Sequence, residues 1–159
     1  MLHTEPPSYL GMGVVRGNYR EIARYVFDSY KSLELMKELD PDIVQYQCRV
    51  VDDVTRSIKQ VNKLCWPFWD RELVYQQELV ETDNRVYIVM YSVESPEENE
   101  NVVRAKLVVS GYVFSPHTNG THVYRLAQIE PCGNIPASLT KSYGEKCISM
   151  IKHLEKLKI

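Results

Sequence analysis

The last thirty residues constrain the fold of this chain more than any other stretch. Pro136 suits the first turn of a helix, where its missing N–H is no loss, and Gly133 just before it suits a turn. Apolar side chains then recur at three- and four-residue steps. We therefore predict one amphipathic helix over residues 136–159, which needs an apolar surface to lie on. Its apolar stripe contains Leu139, Tyr143, Cys147, Met150, Ile151, Leu154 and Leu157.

The middle of the chain carries the two-residue period of β-strands. Turn signals such as Asp52-Asp53 and Asn119-Gly120 separate the alternating runs. One run, residues 85–93, is apolar on both faces and should therefore be a central strand that is covered on both sides. The pattern predicts strands over residues 43–51, 55–64, 71–81, 85–93, 102–114 and 121–130.

The sequence pattern of the N-terminal part predicts one strand followed by a pair of helices. Residues 10–16 read as a strand, and residues 1–8 should be disordered or part of a shortened strand. Asn18 with Glu21 three positions later is the pattern of a capping box, so a helix should begin near Tyr19. The apolar stripe continues as a second short helix that ends at Asp40-Pro41.

This order of elements predicts an α+β fold, in which a strongly curved antiparallel sheet wraps around the long C-terminal helix. The length of 159 residues suits a single domain over residues 1–159. A curved sheet that grips one helix can leave a cavity between them, and such cavities are apolar with a few polar groups.

Composition narrows the class of function. The formal net charge of -2 gives no basic field, which argues against a nucleic-acid partner. The four cysteines show no metal-ligand spacing and read as reduced, mostly packed thiols, and no signal peptide or membrane-spanning run is present. These features favour a cytoplasmic protein that could also visit membrane surfaces. We predict no metal, no cofactor and no catalytic residue, since the histidines lack ligand spacing and no serine lies in a GxSxG motif.

The aromatic segment Trp66, Pro67, Phe68 and Trp69 has two interpretations. Two tryptophans within four residues usually pack, which favours a loop that forms one wall of the core. If the loop is exposed, Trp66, Phe68 and Trp69 form an apolar patch suited to touching a membrane or a protein partner.

Five segments, in order and in spacing, resemble the START lipid-transfer domains over roughly residues 9–159. No single segment is diagnostic, but five in register across the chain make a chance match improbable. The segments are Val14-Val15, Leu39-Asp40-Pro41-Asp42, Trp66-Pro67 followed by Arg71-Glu72, Val102-Val103-Arg104-Ala105, and the run from Pro131 to Leu139.

The resemblance implies the helix-grip fold that START domains share with Bet v 1-like proteins. It also implies a tunnel that holds one lipid under the C-terminal helix, so the expected partners are a phospholipid, sterol or other hydrophobic ligand and, transiently, a membrane surface. The oligomeric state stays open. The candidate lining residues are Leu73, Tyr75, Gln77, Ile88, Met90, Tyr124, Tyr143, Cys147 and Ile151.

The chain departs from the family pattern in three places. It is shorter than a full member, and the difference falls in the N-terminal helix and first strands. Sterol-binding members carry a buried arginine where this chain has Gln77, and a neutral amide cannot pair with a carboxylate or phosphate as arginine does. Asn134 stands where the family commonly has tryptophan.

Two further functions remain open. A cyclase- or hydrolase-like enzyme of the same fold would use tyrosine hydroxyls or histidine imidazoles that converge on one reacting atom. A protein-interaction domain would instead have a collapsed cavity and bind through the aromatic loop or the sheet edge.

Overall fold

The computed structural model describes residues 6–97 and 99–157, apart from the side chain of Cys147. Residues 1–5 of the N-terminal segment expected to be disordered or shortened therefore lie outside the described residues, and the first strand begins at Ser8. The helices are α1 (Tyr19–Ser29), α2 (Leu33–Leu39) and α3 (Ala137–Lys156). The strands are β1 (Ser8–Val15), β2 (Ile43–Val50), β3 (Thr55–Asn62), β4 (Asp70–Glu81), β5 (Val86–Ser92), β6 (Val102–Arg104), β7 (Lys106–His117) and β8 (Gly120–Glu130).

All eight strands belong to one sheet, whose main order is β1-β8-β7-β5-β4-β3-β2 with antiparallel neighbours. Alternate residues of the central strands are buried, for example Val123, Arg125 and Ala127 on β8, because one face of the sheet lies under the helices. The predicted α+β arrangement, with a helical pair after the first strand and a long helix at the end, is confirmed.

One predicted strand is divided in two. Residues 102–114 form β6, which runs parallel to β4, and β7, which runs antiparallel to β5. The buried carboxylate of Glu72 provides the physical reason, since it draws Arg104 into an ion pair at 2.5 Å while its backbone carbonyl accepts the Ala105 N–H at 2.8 Å. These bonds hold β6 beside the start of β4, and the chain crosses to β5 only afterwards.

A buried arginine attaches α1 to the sheet. Arg56 on β3 is 1% exposed and donates to the Phe27 carbonyl and, at 2.6 Å, to the Asp28 carboxylate. Its guanidinium also lies 3.7 Å from the centre of the Phe27 ring. Because these partners lie in the last turn of α1, the C-terminal end of that helix is fixed over the concave face of the sheet.

Glycines let α3 lie close against β1. A Cβ atom at Gly11 would lie 2.5 Å from Cγ2 of Ile148, and one at Gly13 would lie 2.5 Å from Cγ2 of Ile151. On the helix itself, Gly144 faces the ring of Tyr9 with no space for a side chain. The edge strand and the helix are therefore in direct backbone-to-side-chain contact.

Candidate functional site

Three small cavities form a row along the inner face of α3. The first, about 30 Å³, lies under Leu139 and Tyr143; the central one, about 60 Å³, lies between Tyr143 and Met150; the third, about 20 Å³, continues to Leu154. Tyr143 borders the first and central cavities, and Met150 borders the central and third. Each pair of neighbouring cavities therefore has one side chain of α3 in common.

The first cavity is almost wholly apolar, with Ala105, Ala127 and Ile129 on the sheet side. The central cavity is the polar one, since it is lined by Asp40, Gln60, Tyr75, Ser110, Arg125 and Lys146 as well as apolar side chains. This combination of an apolar wall with a few convergent polar groups is typical of ligand sites, although known sites are larger, at roughly 300–1,000 Å³.

A chain of hydrogen bonds runs along the wall of the central cavity. The Tyr75 hydroxyl donates to Oε1 of Gln60 at 2.8 Å, and Nε2 of Gln60 donates to Oδ1 of Asn62 at 2.8 Å. Nδ2 of Asn62 then donates to the Asp40 carboxylate at 2.6 Å. The chain links a tyrosine buried in the middle of β4 to a carboxylate at the end of α2.

The ionised Asp40 carboxylate fixes the direction of this chain. It can only accept, so Asn62 must present its amide nitrogen to Asp40 and its oxygen to Gln60. Gln60 is then oriented in turn, and the proton of Tyr75 points toward Gln60. Burial raises the pKa of Asp40, while Lys146 and the Asn62 hydrogen bond offset part of that rise. Burial also raises the pKa of Tyr75 well above that of an exposed tyrosine.

Sequence reasoning missed several polar residues that line this site, and Arg125 is the most buried charged one among them. It lies on β8 beside Gly11 of β1 and Tyr112 of β7, it is 5% exposed, and it lines the central cavity. Its Nη1 donates to the Ser110 hydroxyl at 2.9 Å, the Gly111 carbonyl at 3.2 Å and the Leu126 carbonyl. The guanidinium carbon lies 4.6 Å from the centre of the Tyr112 ring. The two-residue alternation of the strand could have identified it, because Arg125 falls on the same side of β8 as Val123 and Ala127.

The structure divides the predicted lining residues into groups. Leu73, Tyr75, Met90 and Tyr143 line the central cavity. Gln77 and Ile88 are buried on the same face of the sheet but do not border the three cavities, and Ile151 is packed over Gly13. The side chain of Cys147 lies outside the described residues.

Tyr124 lies on the opposite face of the sheet from α3. Its neighbours Val123 and Arg125 point inward, so Tyr124 points outward and contacts Nδ1 of His122 at 3.2 Å. The sequence expectation that it lines the cavity therefore does not agree with its position, because the strand alternates with period two.

Gln77 is buried without a partner. It is 0% exposed, and neither Oε1 nor Nε2 has a hydrogen-bond partner among the described residues. An unpaired buried amide is costly, since it loses its bonds to water and gains none in the protein.

The aromatic loop is exposed, which differs from the packed arrangement that two neighbouring tryptophans favoured. Trp66 is 91% exposed and Trp69 58%, while Phe68 is half-buried. The buried Arg71 side chain holds the loop by its backbone instead, since it donates to the Trp69 carbonyl at 2.5 Å and to the carbonyls of Pro131 at 2.6 Å and Cys132 at 3.0 Å. Arg71 also borders the first cavity, so the loop lies beside the mouth of the space under α3.

The family model of the START domain matches residues 26–156. This chain belongs to the START domain family. Its structure is similar to the human StarD13 (DLC2) lipid transfer and protein localization domain, with a TM-score of 0.71 and 21% identity over 94% of this chain and 76% of that one. It is also similar to human STARD10, with a TM-score of 0.75 and 17% identity over 98% of this chain and 65% of that one.

A bacterial START-related protein has the same fold. The fragment of the STAR-related lipid transfer protein from Xanthomonas axonopodis matches with a TM-score of 0.76 and 17% identity, over 98% of this chain and 87% of that one. The helix-grip fold expected from the sequence is thereby confirmed. No curated protein sequence matches the chain.

Three further observations, on membrane-spanning helices, metal ligands and thiols, concern the described residues alone. No helix among them has the length and apolar character needed to cross a bilayer, and no three histidine, cysteine or acidic side chains within them converge as metal ligands. Cys48, Cys65 and Cys132 are free thiols, of which Cys65 is exposed.

We predict that two neighbouring substitutions on β4 change stability in opposite directions. Tyr75→Phe removes the donor to Gln60 and should lower the free energy of unfolding by about 1–3 kcal/mol. Gln77→Leu replaces the unpaired amide by an apolar side chain of similar volume. This change should raise the free energy of unfolding by about 1 kcal/mol or more. Urea unfolding monitored by tryptophan fluorescence measures both.

The matched control is Tyr87→Phe, a half-buried tyrosine of β5, for which the change should stay within about 0.5 kcal/mol. A loss for Tyr75→Phe as small as that of the control would contradict the hydrogen-bond chain.

Proposed function

We propose that this domain binds one lipid-like molecule in the space between α3 and the concave face of the sheet, and carries it between membranes. The observation that supports this proposal is the row of three cavities under α3, apolar at its first end and polar in the centre. START membership and the lipid-transfer proteins of the same fold point in the same direction.

Binding requires the space under α3 to grow. The three cavities together are well below the volume of known ligand sites, so Tyr143 and Met150 must turn aside or α3 must move outward. The start of α3 is suited to such a movement, since Pro136 at its N-cap provides no side-chain hydrogen bond. In this proposal α3 acts as the gate.

The exposed aromatic loop is the proposed membrane contact. Tryptophan side chains favour the interface between water and hydrocarbon, because the ring is apolar and its N–H stays hydrated. Trp66 and Trp69 are the exposed members, with Phe68 behind them. A membrane that contacts this loop lies next to the first cavity, where a lipid would enter.

The proposed function is non-catalytic. The hydroxyls of Tyr30 and Tyr112 lie 3.3 Å apart, close to the central cavity, and resemble the convergence that a cyclase would need. A tyrosine hydroxyl is protonated at neutral pH, and burial raises the pKa of Tyr75 further, so it is a poor general base. None of the described histidines lines the central cavity.

The small cavities favour one alternative, a protein-interaction domain whose interior is permanently filled. The two functions differ in what the purified protein contains and takes up. Lipid extraction followed by mass spectrometry, together with uptake of fluorescent lipids from vesicles, should show one lipid per protein molecule. A protein that carries no lipid and takes none up would overturn the proposal and leave the interaction domain.

A disulfide between α3 and β1 tests the gate. A Cβ atom at Gly11 would lie 3.4 Å from Cβ of Ile148, close to the separation that a disulfide requires. The double variant G11C/I148C is made together with Cys65→Ser, which removes the exposed thiol. We predict that the oxidised double variant takes up no lipid and that reduction of the disulfide restores uptake.

The single variants G11C and I148C on the same background control for the loss of packing at each position. Circular dichroism verifies that the oxidised protein is folded. Uptake by the oxidised double variant at the rate of the reduced one would refute a gating role for α3.

Replacing the most exposed tryptophan tests the membrane contact. Trp66→Ser should slow lipid transfer between vesicles about tenfold or more, because the apolar ring no longer enters the interface. Val50→Ser is the matched control, since Val50 is 53% exposed on β2 and lies outside the aromatic loop. Equal transfer rates for the two variants, measured by fluorescence energy transfer between labelled vesicles, would remove the loop from the membrane contact.

A further inference from the structure

We propose that two copies of this domain associate through their β1 strands, so that the two sheets join into one across a two-fold axis at Met12. The partner is a second copy of this chain. The inference goes beyond the proposed function, because it concerns the outer edge of the sheet and does not depend on lipid binding in the interior.

One side of β1 is open to a further strand. β1 pairs with β8 along its whole length, and no other described strand lies beside it. The backbone N–H and C=O groups that point away from β8 therefore have no strand partner among the described residues. Such a row of unpaired groups is a template for pairing with another chain.

β1 lacks the features that normally keep an edge strand from pairing. Proteins protect such edges with charged side chains, prolines or bulges. Ser8–Val15 contains no charged residue and no proline, and its register with β8 shows no bulge. The opposite edge strand, β2, carries Arg49 and a register shift between Ile43 and Gln45. The sheet is thus protected at one edge and unprotected at the other.

The outward side chains of β1 are complementary to themselves. Leu10, Met12 and Val14 are 59%, 62% and 38% exposed on the face of the strand opposite to α3. In an antiparallel pair centred on Met12, Leu10 lies opposite the partner's Val14, because paired residues are equal steps from the centre. Each copy would therefore cover apolar side chains of the other, as cross-strand pairs do within a sheet.

α3 lies above β1 and runs in the same direction. A Cβ atom at Gly11 would touch Ile148, and one at Gly13 would touch Ile151, so Met12 is level with the middle of the helix. Neighbouring strands are about 4.8 Å apart, so the two α3 helices of a joined sheet come within reach of each other's side chains. The two-fold axis makes these helices antiparallel.

The outer side of α3 carries charges of alternating sign. Lys141, Glu145, Lys152 and Glu155 are exposed and fall on the same stripe as Ile148, because steps of three and four residues return to one side of a helix. A two-fold axis that passes α3 near Ile148 places Glu145 opposite the partner's Lys152, and Lys141 opposite the partner's Glu155. The row is therefore complementary to itself in the orientation that pairs the β1 strands.

The combination of the two features favours a second copy over other partners. A bilayer or an unrelated strand would match the apolar side chains of β1 alone. A second copy matches these side chains and the charges of α3 with one symmetry operation. Association of this kind also closes, since each copy has one such edge and uses it once.

Sedimentation equilibrium of the purified protein tests the association. The wild-type protein should form a dimer of twice the 18.5 kDa of one chain. Met12→Lys places two like charges opposite each other at the axis and should raise the dissociation constant of the dimer about tenfold or more. Val50→Lys is the matched control, because Val50 is 53% exposed on the opposite edge strand, and it should leave the constant unchanged within about twofold.

Charge reversals on α3 test the orientation. Glu145→Lys and Lys152→Glu should each weaken the dimer about threefold or more, because each places like charges opposite each other across the axis. The double variant E145K/K152E should restore the wild-type dissociation constant, since opposite charges then face each other again. A loss of helix stability alone would not be reversed by the second substitution.

A protein that is monomeric at every concentration measured would overturn the proposal and leave the proposed lipid binding intact. A dimer that Val50→Lys weakens and Met12→Lys does not would overturn it too, because the contact would then lie on β2. Circular dichroism verifies the fold of each variant. If Met12→Lys does not fold, the reversals decide, and a double variant no tighter than the single ones would refute the two-fold contact.

Discussion

The close contact between α3 and the edge strand β1 sets the geometry of the interior. Gly11 and Gly13 on the strand and Gly144 on the helix remove the side chains that would hold the two elements apart. The helix therefore lies close against the edge strand. The space available to a ligand depends on this close contact as much as on the size of the lining side chains.

Polar groups enter this apolar space with their orientations already fixed. The Asp40 carboxylate orients Asn62 and Gln60, and through them the Tyr75 hydroxyl. On the opposite side, Ser110 and two backbone carbonyls orient Arg125. A ligand head would meet dipoles that need no rearrangement, which is the condition under which buried polar contacts contribute most to selectivity.

Local patterns in the sequence were sufficient for the fold. The three-and-four spacing of α3, the capping residue Asn18 and the alternation of β8 all lie within short windows, so the elements could be predicted. Alternation alone did not settle which side of β8 faces the helix, since Tyr124 points outward. Hydrogen bonds between residues that are distant in sequence could not be predicted in this way. Asn62 meets Asp40 from 22 positions away, and no local pattern indicates this bond. Arg125 lies on a strand that the alternation predicts, whereas the resemblance to START domains pointed to Gln77, whose amide has no hydrogen-bond partner among the described residues.

Arg71 connects two parts of the chain that are distant in sequence. One guanidinium binds the Trp69 carbonyl of the aromatic loop and the carbonyls of Pro131 and Cys132 that precede α3. A displacement of either segment weakens the hydrogen bonds that hold the other, so the two do not move independently. Loop and helix start are thus tied through one side chain, and in the proposed function a membrane that captured the loop would weaken the hydrogen bonds at the start of the helix.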